Sequence, residues 1–286
     1  MRYLFVVLFC LFITSIDAIG QIVGTSSVCE GSITTLSCAT PTGGTWSSST
    51  TGVATVDGSG VVVGVAAGTS VISYVSLPTV HTLVVTVHPT PSPITSSSFR
   101  ICAGNTITFS SATSGGTWLS INTSIAIVGA STGLVTGVSS GITTIKYVMP
   151  ATGCEAVASV TVNPAPASIT GTAAVCTGNT TSLSHITSGG TWSSSNPSVG
   201  SVTGSGFVAG ISAGIASISY ILPSGCYSVR SLSVNATPTS ISGSTNVCSG
   251  AFSTLSSTPV SGSWSAVGTS ATIHPVTGVV SAVSAG

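Results

Sequence analysis

Gly43-Gly44-Thr45-Trp46 returns as Gly115-Gly116-Thr117-Trp118, as Gly189-Gly190-Thr191-Trp192 and, altered, as Ser261-Gly262-Ser263-Trp264. These stretches hold all 4 tryptophans of the chain and follow one another at nearly equal intervals. Three other marks keep the same beat. Cys29, Cys102, Cys176 and Cys248 stand at a near-constant distance ahead of each Trp, and Gly60, Gly133, Gly206 and Gly278 at a near-constant distance behind it. Tyr74, Tyr147 and Tyr220 follow. A period of about 73 residues is too long for a solenoid rung and suits a small domain. The chain is therefore one unit written four times, with expected boundaries at 21–88, 89–163, 164–235 and 236–286, the last unit stopping before its Tyr strand.

Each unit opens with a short strand ending at the cysteine, as in Ala173-Ala174-Val175-Cys176, then a strand of alternating character such as Thr106 to Phe109. A Gly-Gly turn delivers the Trp at the head of a third strand. The clearest period of two lies in Ile72-Ser73-Tyr74, Ile145-Lys146-Tyr147 and Ile218-Ser219-Tyr220, which put Ile and Tyr on one face and a polar residue on the other. No segment keeps helical spacing, and Gly, Ser, Thr and β-branched residues disfavour helix throughout. Short strands separated by frequent turn signals describe an all-β chain of tandem sandwiches. The links His88-Pro89-Thr90-Pro91, Asn163-Pro164-Ala165-Pro166 and Asn235-Ala236-Thr237-Pro238 predict extended, fairly stiff spacers.

Gly190-Thr-Trp-Ser-Ser-Ser-Asn-Pro-Ser-Val199, followed by Gly206-Phe-Val-Ala-Gly-Ile-Ser-Ala-Gly214 and Ile218-Ser-Tyr220, resembles the bacterial immunoglobulin-like domain, group 2, of intimin- and invasin-type surface adhesins. The resemblance runs from about residue 21 to the end. It implies immunoglobulin-like sandwiches used as secreted or surface modules, as spacers or as adhesive units. The cysteine pairs and the very low charge depart from the commonest form of that family.

With 4 basic and 4 acidic side chains in 286 residues, the surface must be built from Ser, Thr and Gly. Such a surface lacks the clustered Lys and Arg from which nucleic-acid binding draws its affinity, so nucleic acid is not an expected partner. Met1-Arg2 and the apolar run Tyr3 to Ile16 read as a secretory signal, too short to span a bilayer, with cleavage after Gly20 and Cys10 discarded with it. No second run of membrane length exists, which predicts a secreted or surface-displayed chain.

The second unit holds Cys102 and Cys154 and the third holds Cys176 and Cys226, at almost the same separation. Both second cysteines stand nine positions before the Asn that closes the unit, Asn163 or Asn235. This shared register predicts one disulfide within each unit, Cys102 with Cys154 and Cys176 with Cys226, tying the first strand to the last. Closing such a loop stabilises by roughly 4 kcal/mol in the chain-entropy model. Cys29, Cys38 and Cys248 have no assigned partner.

Gly137-Val138-Ser139-Ser140-Gly141 and Gly210-Ile211-Ser212-Ala213-Gly214 match the Gly-x-Ser-x-Gly nucleophile elbow. The first unit carries Ala66 in place of the serine, and no helix follows, so both read as turns and no catalytic residue is expected. His81, His88, His185 and His274 fall at four different repeat positions, and Glu30, Asp57 and Glu155 are single, so neither a metal site nor a cofactor is expected. Trp46, Trp118, Trp192 and Trp264 read as core residues packing near a disulfide; a sugar-stacking platform is the competing reading. Together these features predict a non-enzymatic stalk or adhesin-type repeat with an unknown protein or glycan ligand. The alternative is the accessory array of a larger secreted hydrolase whose catalytic domain lies beyond residue 286. An ice- or crystal-binding Thr surface is a third reading, weakened because Thr34-Thr35 and Thr143-Thr144 do not align in ranks.

Overall fold

The computed structural model describes residues 21–260 and 262–285; the expected signal segment 1–20, with Cys10, lies outside the described residues. The chain divides into two compact units, Met1–Val162 and Asn163–Gly286. The first holds repeats 1 and 2 and the second repeats 3 and 4. Every regular element among the described residues is a strand. No helix there is long and apolar enough to cross a membrane.

Repeat 2 shows how the sequence makes a sandwich. Its four-stranded sheet runs, in spatial order, Arg100–Cys102, Glu155–Asn163, Gly141–Val148 and Thr117–Ser120. We call these the cysteine, closing, tyrosine and tryptophan strands. A second sheet of Thr106–Thr108, Leu134–Gly137 and Ala126–Val128 completes the fold. Along the tyrosine strand Thr143, Ile145 and Tyr147 are buried while the residues between them are not, the alternation expected of a strand with one dry face. Phe109, Val135, Ile145 and Val160 from the two sheets meet in one core. Repeat 1 has the same arrangement, with Ser27–Cys29, Thr79–His88, Gly68–Ser76 and Thr45–Ser48 in one sheet and Ile33–Thr35, Val61–Gly64 and Ala54–Val56 in the other. In repeat 3 the strands Ala174–Cys176, Tyr227–Asn235, Gly214–Ile221 and Thr191–Ser194 form the first sheet. Its second sheet is Thr170–Gly171, Thr180–Ser184, Phe207–Gly210 and Gly200–Val202.

An isoleucine seven or eight positions ahead of each first cysteine, inside what reads as a linker, closes the core. Ile22, Ile94 and Ile169 are buried in the first three repeats. The fourth repeat differs. Its described strands, Phe252–Thr254, Val279–Ala282 and Ala271–Ile273, form a single sheet.

The cysteine strand runs parallel to the closing strand, pairing Cys29 with His88 in repeat 1 and Cys176 with Asn235 in repeat 3. This direction overturns the expected disulfides. Cys226 precedes the first residue of its closing strand, whereas Cys176 sits beside the last. The extended chain between the two ends separates them by about 30 Å, against the roughly 4–7 Å between Cα atoms that a disulfide spans. A bridge within one repeat is thus sterically impossible. Cys154 pairs instead with Cys29 of the preceding repeat, with a Cα–Cα distance of 5.6 Å. The Cys102–Cys154 and Cys176–Cys226 pairs are therefore both corrected: Cys176 is a free thiol, while Cys102 and Cys226 are disulfide-bonded. Cys154 and Cys226 also lie on the turn before the closing strand rather than on it, where their carbonyls accept from the backbone N–H groups of Met149 and Leu222.

Candidate functional site

Two constructions stand out, an aromatic node in each closed repeat and a staple between repeats 1 and 2. The node begins at the Gly-Gly turn. A Cβ on Gly44, Gly116 or Gly190 would collide with the ring of Tyr74, Tyr147 or Tyr220, so the second glycine lets the Tyr ring lie against the backbone. Its N–H then donates to the Tyr hydroxyl at 2.8, 2.8 and 2.9 Å in the three repeats. Tyr147 Oη in turn donates to the carbonyl of Thr113 at 2.8 Å. Strand pairing sets Trp46 opposite Tyr74, Trp118 opposite Tyr147 and Trp192 opposite Tyr220. The ring centroids lie 4.7, 4.6 and 5.0 Å apart, in the tilted or edge-on geometry that aromatic pairs favour.

The recurring glycine that follows each Trp closes the node. Gly60, Gly133, Gly206 and Gly278 all have positive φ. A Cβ there would strike the carbonyl oxygen of Leu36, Phe109, Leu183 or Leu255 and crowd the indole. Trp118 is buried, and Trp46 and Trp192 are half-buried against their cores. Trp264 is also half-buried, and among the described residues it stacks on no tyrosine. In repeat 3, His185 adds a stacked layer on Tyr220 at 4.1 Å, with Nε2 2.6 Å from the Ala167 carbonyl and Nδ1 accepting from the Thr187 N–H at 3.0 Å.

The staple joins opposite ends of two neighbouring sandwiches. Each closing strand runs from the head of its repeat to the tail, so the turn cysteine sits at the head and the first cysteine at the tail. Cys154, 1% exposed, thus reaches from the head of repeat 2 to the tail of repeat 1. The carboxylate of Glu30, next to Cys29, accepts from the Ala67 N–H at 2.7 Å and the Thr90 N–H at 3.4 Å, fastening the link to the same end.

The remaining candidates have structural partners. Ser139 and Ser212, the serines of the elbow-like motifs, donate to the carbonyls of Ser124 and Ser198 at 2.6 and 2.7 Å and so brace loops. Asp57 accepts from Ser59 Oγ at 2.7 Å and from the N–H groups of Ser59 and Val61 at 2.9 Å each. The Ser59 hydroxyl, followed by the Val61 N–H, holds this carboxyl below the usual aspartate range. Arg230 donates from both terminal nitrogens to the carbonyls of Ile169 and Gly171, pinning the leading segment of repeat 3. Lys146 and Glu155 form an ion pair at 2.7 Å on the surface, where such pairs add little. The histidines stay apart, and no group of three potential metal ligands occurs among the described residues.

A cavity of about 710 Å³ lies in the second unit, lined by Cys176, Pro238, Ile241, Val260 and Trp264 among others. It falls where the third repeat meets the incompletely closed fourth.

Residues 104–153 match the family model of the bacterial Ig-like domain (group 2). No curated protein matches the chain. Among solved structures, the C-terminal 282-residue fragment of intimin, in complex with the intimin-binding domain of its translocated receptor, is 18% identical, with 52% of this chain and 65% of that one covered and a TM-score of 0.31. Invasin, a bacterial integrin-binding protein, is 12% identical over 93% of this chain and 73% of that one, with a TM-score of 0.32. Domains 4–9 of the surface layer protein SbsC are 18% identical over 73% and 44%, with a TM-score of 0.21. The chain thus spans less than two thirds of the intimin and surface-layer fragments.

Proposed function

We propose that this chain, in which residues 104–153 form a bacterial Ig-like domain of group 2, is an exported, non-enzymatic stalk of adhesin type that carries load between a cell surface and a protein or glycan ligand. The observation that carries the reading is the Cys29–Cys154 disulfide. It closes a loop of 125 residues that encloses most of two sandwiches. Tension applied along the chain passes from Cys29 to Cys154 through a covalent bond, so the enclosed strands stay folded until that bond is reduced. In the chain-entropy model a loop of this length also stabilises the folded state by about 5 kcal/mol. An exported chain meets the oxidising conditions under which such a bond persists, in keeping with the signal-like residues 1–20. The charge-poor surface suits weak, repeated contacts, which several copies multiply through effective concentration.

Single-molecule pulling from both termini tests the mechanical role. Reduction should lengthen the fully extended chain by about 430 Å, the reach of 125 residues. Equal lengths before and after reduction would remove the load-bearing role.

A further inference from the structure

In the three closed repeats the hairpin of tyrosine and closing strands forms the middle of a sheet whose edges are the cysteine and tryptophan strands. In repeat 4 both edge sequences are present, around Cys248 and Trp264, yet neither forms a strand among the described residues. The opening between them is two strands wide. Its walls are apolar residues that the closed repeats bury: Ile241 is 62% exposed, against 7% for Ile94 and 3% for Ile169 at the same place in the unit. Val260 is 88% exposed beside it.

The 710 Å³ cavity carries a second, independent mark. Its lining includes Trp264, Gly262, Ile241 and Cys176, which correspond to Trp118, Gly116, Ile94 and Cys29. At that earlier junction Tyr147 stacks on Trp118 and accepts from Gly116, and Cys154 bonds to Cys29. The corresponding thiol, Cys176, is free and half-buried. We propose that this opening is a docking site for a β-hairpin of the same Ig-like design, presented by a partner polypeptide. The partner's Tyr would lie against Trp264, its backbone would pair with both edges, and the cysteine on its turn would bond to Cys176. A compact apolar ligand fits less well, because only extended chain supplies the two rows of N–H and C=O groups that the edges lack.

The covalent step is thiol–disulfide exchange with a cysteine carried as a mixed disulfide with a small thiol. Cys176 loses its proton, its sulfur attacks the hairpin sulfur, the old S–S bond breaks, and the small thiol leaves and takes up a proton. Electrons balance without a further oxidant.

The inference does not rest on the load-bearing reading and is tested separately, on the full chain with its native disulfides intact. The probe is a synthetic peptide with the sequence Gly214–Asn235, its cysteine capped with glutathione. A scrambled peptide with the same capped cysteine serves as control. Mass spectrometry after non-reducing digestion should find the probe on Cys176, formed at least tenfold faster than the control adduct, with a blue shift of Trp emission. A peptide carrying Cys226→Ser should still shift the emission, and one carrying Tyr220→Ala should not. Equal rates for probe and control, or attachment to exposed Cys248 as readily as to Cys176, would overturn the proposal. So would a native chain whose Cys176 stays unreacted in excess probe.

Discussion

Repeats 2 and 4 share the Trp, the first cysteine, the leading isoleucine and the spaced glycine, yet one is a closed sandwich and the other a single sheet. Even the local hydrogen bonds agree: the N–H of Trp118 donates to Ala130 and that of Trp264 to Pro275, each at 2.9 Å. What repeat 4 lacks in its described strands is the hairpin with the tyrosine. The comparison teaches that the Trp segment and the cysteine segment do not become strands on their own propensity. They are edges and acquire their hydrogen bonds only from the hairpin between them, so this central element, rather than the most conspicuous motif, organises the core.

Replacing the same residue in both repeats sharpens the contrast most. Trp118→Ala should destabilise repeat 2 by about 3–5 kcal/mol, as large-to-small changes in a closed core do, whereas Trp264→Ala should change stability by less than about 1 kcal/mol. Denaturant unfolding followed by hydrogen exchange in each repeat separates the two. Cys29→Ser combined with Cys154→Ser should lower the stability of the first unit by about 2–5 kcal/mol, read from the same unfolding curves, with no matching loss in repeat 4. Gly133→Ala, forced into positive φ against the Phe109 carbonyl, should cost repeat 2 about 2–3 kcal/mol. Tyr147→Phe keeps the ring and removes its two hydrogen bonds, which should cost about 1–2 kcal/mol by thermal unfolding.

The smallest effect contrasts repeat 1 with repeat 3, whose corresponding turn holds Thr203 in place of Asp57. Because the folded carboxyl titrates below its unfolded value, its contribution is complete above the ordinary aspartate pKa of about 3.9 and is lost as pH falls through the lower folded value. Amide exchange at Ser59 and Val61 should therefore quicken below about pH 4, with no such change at Phe207. Asp57→Asn should abolish the difference between neutral and acid conditions.

Much of this was legible before any coordinates. Four copies at even spacing, marked by Trp, Cys and Gly, identify the unit, and Ile145-Lys146-Tyr147 shows which face is dry. The glycine at a constant distance from the Trp proves to be a contact, since Gly133 lies against the indole of Trp118. Disulfide partners were not legible, because the spacing of Cys102 and Cys154 says nothing about strand direction. Once the cysteine strand runs parallel to the closing strand, its two cysteines stand at opposite ends of the repeat. Shifting the pairing by one repeat also accounts for Thr79 at the turn position of repeat 1, where repeats 2 and 3 carry cysteine. Ile22, Ile94 and Ile169 were missed for another reason: each sits in a Pro-, Ser- or Thr-rich stretch that reads as linker. Their constant distance from the next cysteine was the available signal.

The covalent joint between neighbouring sandwiches is the central claim, and mapping of disulfide-linked peptides from the unreduced protein, alkylated before digestion, tests it most directly. The account predicts one linked pair containing Cys29 and Cys154, with Cys176 recovered alkylated. A linked pair containing Cys102 and Cys154, or one containing Cys176 and Cys226, would contradict it.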